Sequence, residues 1–201
     1  MRASQRQRLL AAMLECVGEQ GYAATTVNQV VARARVSQNA FYELFDDKLD
    51  CFLALADEMA DEILEQLLDF GNAGHWLVAL RRGTARYLEW WQEHPVWTRA
   101  YLLELPAAGP RAMTNRQRQY ARFHELFRAI AAWARAEQPE LGELWPMAPQ
   151  VIVHAITEIV ADHVRDGRSG ELAGLEPDIV HLVVLLLADE ATARRAATIG
   201  K

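Results

Sequence analysis

From residue 4 to residue 20 the apolar positions Leu9, Leu10, Met13, Leu14 and Val17 recur at helical spacing, and Gly21 supplies the left-handed stop that ends many helices. Thr26 followed three residues later by Gln29 forms a capping box, after which Val27, Val30, Val31 and Ala34 mark one face of a second helix. That helix has only about two turns. Ser37 caps a third, equally short helix over 38–44, with Ala40, Phe41, Leu44 and Phe45 turned inward. Asp46 or Asp47 starts a fourth, whose stripe of Leu49, Phe52, Leu53, Ala56, Met59, Ile63 and Leu67 runs to Phe70. It is long enough to join two parts of the molecule as one rod.

Beyond Gly74, proline and glycine punctuate five further amphipathic segments, at 75–94, 95–105, 110–137, 149–165 and 177–197. A Pro-rich stretch at 139–149 and a Gly-rich stretch at 167–174 connect the last three. No alternating period of two appears, so the pattern predicts an all-α chain.

Composition agrees with a soluble globular protein of one or two domains: 201 residues, 51% hydrophobic and 24% charged. The densest apolar run, Val180 to Ala188, is broken by His181 and is far shorter than the roughly 18 residues of a membrane span. No signal-peptide pattern opens the chain, which implies a cytoplasmic protein. Cys16 and Cys51 both fall on apolar helix faces and read as small buried thiols, with a redox pair as the alternative.

The net charge of −6 hides a division. Residues 1–42 carry five Arg (2, 6, 8, 33 and 35) against Glu15 and Glu19, whereas residues 43–201 carry 16 basic against 25 acidic residues. All six Trp (76, 90, 91, 97, 133 and 145) lie after residue 70. A small basic head on an acidic body is implied.

Two short helices joined across residues 35–37 in a basic segment have the order of a helix-turn-helix, which sets its second helix in the major groove of DNA. On 38–44 the outward positions are Gln38, Asn39, Tyr42 and Glu43; amides pair with adenine edges and tyrosine reaches phosphates. Spacing alone leaves open a structural helical hairpin with a solvated polar face.

Residues 6–53 resemble the DNA-binding domain of the TetR family of transcriptional regulators. The resemblance lies in Glu19-Gln20-Gly21-Tyr22, Thr25-Thr26-Val27, Val36-Ser37, Phe41-Tyr42 with Phe45, and Lys48-Leu49, in that order. It implies that Thr26 and Lys48 hold phosphates, that Tyr42 packs on the DNA backbone, and that Gln38 and Asn39 read bases. Ser37 belongs to this surface as the cap of the reading helix. Arg35 stands where the family usually has Gly and adds a candidate phosphate contact; Asn39-Ala40 replaces a common Gly-Thr or Gly-Ser. The implied architecture is a three-helix DNA-binding head over 1–48, joined by the long fourth helix to a helical ligand-binding and dimerisation body over 49–201.

For the body the resemblance implies dimerisation through the last two long helices. Independently, Ile179 to Leu187 is apolar nearly all round and needs cover on every side, with the central core helix of a monomer as the alternative. The candidate interface residues are Val151, Ala155, Glu158, Ile179, Leu182, Val183 and Leu186. For an effector, Trp76, Leu80, Tyr87 and Trp91 share one helical face, and Met113, Gln117, Tyr120, His124 and Phe127 another. Of these, Trp76, Tyr87, Trp91, Gln117, Tyr120, His124 and Phe127 are the candidate ligand contacts, ordinary core being the alternative.

His154, Glu158 and Asp162 have the spacing of half a metal site, but no metal or cofactor is expected. No phosphate-binding glycine loop, dinucleotide fingerprint or nucleophile with its base appears, so no enzymatic activity is indicated. The expected protein is a homodimeric repressor released from a palindromic operator in double-stranded DNA by a small, largely apolar effector. The alternatives are an activator of the same fold and a DNA-binding factor without a ligand.

Overall fold

The computed structural model describes residues 2–68 and 74–188. Among them the elements run α1 (Arg2–Ala24), α2 (Val27–Ala34), α3 (Gln38–Tyr42), α4 (Lys48–Leu68), α5 (Trp76–Glu93) and α6 (Pro95–Arg99). A π-helical turn (Ala100–Glu104) and a 3₁₀ turn (Leu105–Ala108) lead to α7 (Pro110–Glu137), α8 (Ala148–Arg165), a second 3₁₀ segment (Ser169–Leu175) and α9 (Glu176–Leu187). No strand occurs among the described residues, as the periodicity predicted. The expected ends of the fourth helix at Phe70 and of the last helix at residue 197 lie outside the described residues.

The chain forms two compact units. One is residues up to Glu62 together with His94–Gln117; the other is Ile63–Glu93 together with the chain from Arg118 onward. This packing division does not follow the functional division expected at residue 48, because α6, the two turns after it and the start of α7 pack with the head.

In the first unit α1 buries Leu9, Leu10, Met13, Cys16 and Val17, and packs on α2, α6 and the π turn. Helix α3 has five residues and is marginal alone. Phe41, wholly buried and 5.5 Å from Phe45 by ring centroid, anchors it. Burial of such a side chain contributes about 1.5–3 kcal/mol. Trp97 of α6 closes this core edge-on to Phe52 of α4 at 6.0 Å.

In the second unit α5 buries Trp76, Leu88, Trp90 and Trp91, and packs on α9 and the 3₁₀ segment before it. Arg81 Nε and Nη2 donate to the two carboxylate oxygens of Glu176 at 2.9 and 3.3 Å, tying α5 to the first turn of α9. Arg135 donates to the carbonyls of Ala131, Gly142 and Leu187 at 2.7, 2.7 and 3.2 Å, so one guanidinium reaches the last carbonyl of α9.

Two local expectations change. The segment 95–105 is not one α-helix: after Arg99 the ladder widens, with Leu105 N–H donating to Ala100 C=O five residues back. Pro106 supplies the cause, having no N–H to give Leu102 C=O and a ring that crowds that carbonyl. The glycine-rich connection after α8 is also ordered, as the seven-residue 3₁₀ segment that buries Leu172.

Candidate nucleic-acid interface

The interface is assembled by caps. Thr26 N–H donates to Gln29 Oε1 at 2.8 Å and Gln29 N–H to Thr26 Oγ1 at 3.3 Å, the reciprocal box that starts α2. Gln29 Nε2 also donates to Gln20 Oε1 at 3.1 Å, holding this end of α2 to α1. Helix α2 stops at Arg35, the one non-glycine residue with positive φ among those described (φ 53°, ψ 49°). A left-handed conformation there costs about 1 kcal/mol relative to Gly. Val36 N–H then reaches back to Val31 C=O at 3.0 Å, and Ser37 Oγ accepts Ala40 N–H at 3.2 Å to start α3.

With Phe41 buried, α3 leaves Gln38, Asn39 and Tyr42 exposed, Tyr42 at 55%. Gln38 Nε2 donates to Asn28 Oδ1 across from α2. An amide has two N–H donors and a carbonyl, so Gln38 keeps the pair of groups that reads an adenine edge. Thr26, Arg35 and Ser37 are exposed as well.

The cations are arranged unevenly. Arg33 Nη1 and Nη2 each lie 2.7 Å from the Glu19 carboxylate, and Arg6 pairs with Glu58. Arg8, which the sequence reading did not single out, is exposed and reaches Arg35 C=O at 3.5 Å, so two arginines stand at the turn. Its position in a basic head was the available signal. Lys48, to which the resemblance gave a phosphate contact, is bonded within the protein. Its Nζ donates to the carbonyls of Tyr22 and Thr25, both at 2.8 Å, and lies 4.2 Å from the centre of the Tyr22 ring. Burial pushes its ammonium pKa down. The side chain therefore closes the turn between α1 and α2.

In the second unit Trp76, Trp91 and Phe127 are buried, whereas Tyr87, Tyr120 and His124 are half-buried. Tyr87 sits edge-on to Trp91 at 5.9 Å and to Phe123 at 6.1 Å. Tyr120 sits edge-on to His154 at 5.0 Å, and His124 stacks on that ring at 6.4 Å. His124 Nε2 and Trp76 Nε1 are buried without a hydrogen bond. Burial, then the neighbouring His154, push the His124 pKa down.

Gln117 does not join this group, since it is exposed, as is Met113 at 39%. In the first half of α7 the buried positions are Ala112, Asn115, Arg116 and Gln119, one position away from the face expected, whereas further along Phe127 is buried as expected. Asn115, Arg116 and Gln119 are thus buried polar residues that sequence reasoning missed. The run Ala112, Arg116, Gln119, Phe123 has the helical spacing that marks them.

Ile179 and Val183 are covered within their own unit, at 1% and 0% exposure. Val151, Ala155, Leu182 and Leu186 are half-buried and Glu158 is exposed, with Leu185 at 39% beside them. Glu158 and Asp162 both pair with Arg165, and no group of three or more potential metal ligands occurs among the described residues.

Residues 9–55 match the family described as bacterial regulatory proteins, tetR family. The likeness to that family thus covers the head. Solved structures carry the likeness over nearly the whole chain. The fatty acid degradation regulator FadR from Bacillus halodurans superposes with a TM-score of 0.79 at 16% identity, over 90% of this chain and 94% of that one. The transcriptional regulator FadR from Bacillus subtilis, solved in complex with stearoyl-CoA, gives 0.76 at 18% identity over 89% and 97%. A TetR transcription regulator from Haloarcula marismortui gives 0.73 at 16% identity over 97% of both. These identities establish a shared fold. No curated protein matched the chain by sequence. Among the described residues no helix is long and apolar enough to cross a membrane.

Proposed function

We propose that this tetR-family protein is a cytoplasmic homodimeric repressor, released from a palindromic operator by a small, largely apolar effector. Residues 1–48 bind DNA; residues 49–201 bind the effector and the second subunit. The observation that carries the DNA-binding role is the presentation of α3. Buried Phe41 fixes the helix from beneath, while Ser37 and the left-handed Arg35 set its start, leaving Gln38, Asn39 and Tyr42 outward. Base-reading amides on a rigid, capped support are what direct readout requires.

Supporting dimerisation, Leu182, Leu185 and Leu186 of α9 and Val151 and Ala155 of α8 are apolar and incompletely covered in the protomer. Two heads then meet half-sites about one helical turn apart. Supporting an apolar effector, Tyr87, Trp91, Phe123 and Phe127 gather in a unit where His124 Nε2 and Trp76 Nε1 keep unused polar atoms. The complex of the Bacillus subtilis regulator makes long-chain acyl thioesters the first compounds to test.

The decisive experiment selects binding fragments from a random duplex library with the purified protein, then titrates stearoyl-CoA into the complex. Sequence enrichment with two-fold symmetry, lost on adding the thioester, is the expected result. Enrichment without symmetry removes the homodimeric mode, and no enrichment at all removes the DNA-binding reading.

A further inference from the structure

The turn between α1 and α2 is held by charged side chains that come from elsewhere in its unit. Gly21 interrupts α1 with φ 81° and ψ 160°, a conformation natural to glycine and strained for other residues. The Tyr22 N–H donates to Glu104 Oε2, and the Tyr22 carbonyl accepts from Lys48 Nζ at 2.8 Å. The backbone of one residue is therefore gripped on both sides, its N–H by a carboxylate and its carbonyl by an ammonium. Thr25 tightens the same turn, its N–H and its hydroxyl donating to Gly21 C=O at 3.2 and 2.8 Å. The next residue, Thr26, caps α2 and so sets the start of the helix-turn-helix.

Glu104 is the last residue of the π-helical turn, and Arg99 Nε lies 3.8 Å from its other oxygen. We propose that Glu104 is a positioning residue for DNA recognition: from the π turn it latches the α1–α2 turn. The inference rests on the DNA-binding reading above, and Glu104 touches no DNA in it.

Charge and reach separate the latch from simple electrostatics. In a protein of net charge −6, removing a carboxylate strengthens DNA binding by electrostatics alone. The latch gives a different order. Glu104→Gln keeps an acceptor at the same reach and binds a library-selected operator about as well as wild type. Glu104→Asp keeps the charge but is one methylene too short, and weakens binding on the order of tenfold, as the loss of a charge-assisted bond implies.

The slope of log affinity against log salt stays unchanged in both variants, because no phosphate contact is removed. Hydrogen exchange supplies a direct readout, with the Tyr22 amide protected in wild type and Glu104→Gln and fast in Glu104→Asp, both variants being checked for wild-type helicity. Equal operator affinity for Glu104→Asp and wild type, or equal Tyr22 exchange, overturns the latch while leaving DNA binding intact. Failure of the wild-type protein to select any operator is the distinct failure of the underlying reading.

Discussion

Asn28 on α2 accepts a hydrogen from the Gln38 side-chain amide on α3, so the two helices of the DNA-binding motif share a bond between side chains that face outward. The bond narrows the rotamers available to Gln38 before any DNA arrives, and a reader held in place loses less entropy on binding. Asn28→Ala is therefore expected to blunt base preference at the position Gln38 reads, without touching a base itself. Gln38→Ala is expected to lose about 1–3 kcal/mol of discrimination there. Competition binding against operator variants checks both, and an unchanged ranking of variants in Gln38→Ala removes α3 as the reader.

Lys48→Ala should act on folding before it acts on DNA. Its two bonds to the Tyr22 and Thr25 carbonyls are charge-assisted, and their loss is expected to cost about 1.5–3 kcal/mol in chemical denaturation. The salt dependence of operator binding should keep its wild-type slope. A slope shallower by roughly one, with unchanged stability, is the signature of a phosphate contact instead.

How far the sequence could be read is clearest at such positions. The capping box at Thr26 and the cap at Ser37 are local events, decided within a few residues, and they stand where the pattern put them. The bonds of Lys48 were not legible because its partners lie 23 and 26 residues away. The burial of the first half of α7 was not legible for a different reason: Asn115, Arg116 and Gln119 are polar, and polar residues at helical spacing look like a solvated side until the neighbouring elements are known. The π turn required following Pro106 back to the carbonyl it cannot bond.

A charge on α9 should have opposite consequences at two positions six residues apart. Ile179 is 1% exposed and Leu185 is 39% exposed. Ile179→Glu is expected to unfold the second unit, since an uncompensated buried charge costs several kcal/mol. Leu185→Glu should stay folded but sediment as a monomer, with operator affinity down on the order of 10²-fold as the avidity of paired heads is lost. Circular dichroism and sedimentation together decide this. A Leu185→Glu dimer would move the interface elsewhere.

Stability should fall in alkali through Cys51. Burial pushes this thiol from its ordinary 9.0 up to about 12, with Asp50 adding to the shift. Below pH 9 both folded and unfolded forms hold the proton and nothing changes. Above it the unfolded chain releases a proton that the folded one retains, so stability drops by up to about 1.4 kcal/mol per pH unit until the folded thiol also ionises. Cys51→Ala should flatten that limb of the profile. Denaturation midpoints measured from pH 7 to pH 11 test it, an identical slope in the variant being the contrary result.

Trp97 is 2% exposed, 6.0 Å from Phe52 and 5.4 Å from Tyr101 by ring centroid, and it packs in the unit that holds α1, α2 and α3. A segment with no indole of its own thus has a chromophore built into its support, with a tyrosine donor close enough to pass excitation to it. Replacing the other five tryptophans with phenylalanine leaves a chain whose emission colour and lifetime register strain beneath the reading helices alone. Restoring them one at a time then separates, in a single cuvette and without a dye, what an effector does where it binds from what the operator does where it is read.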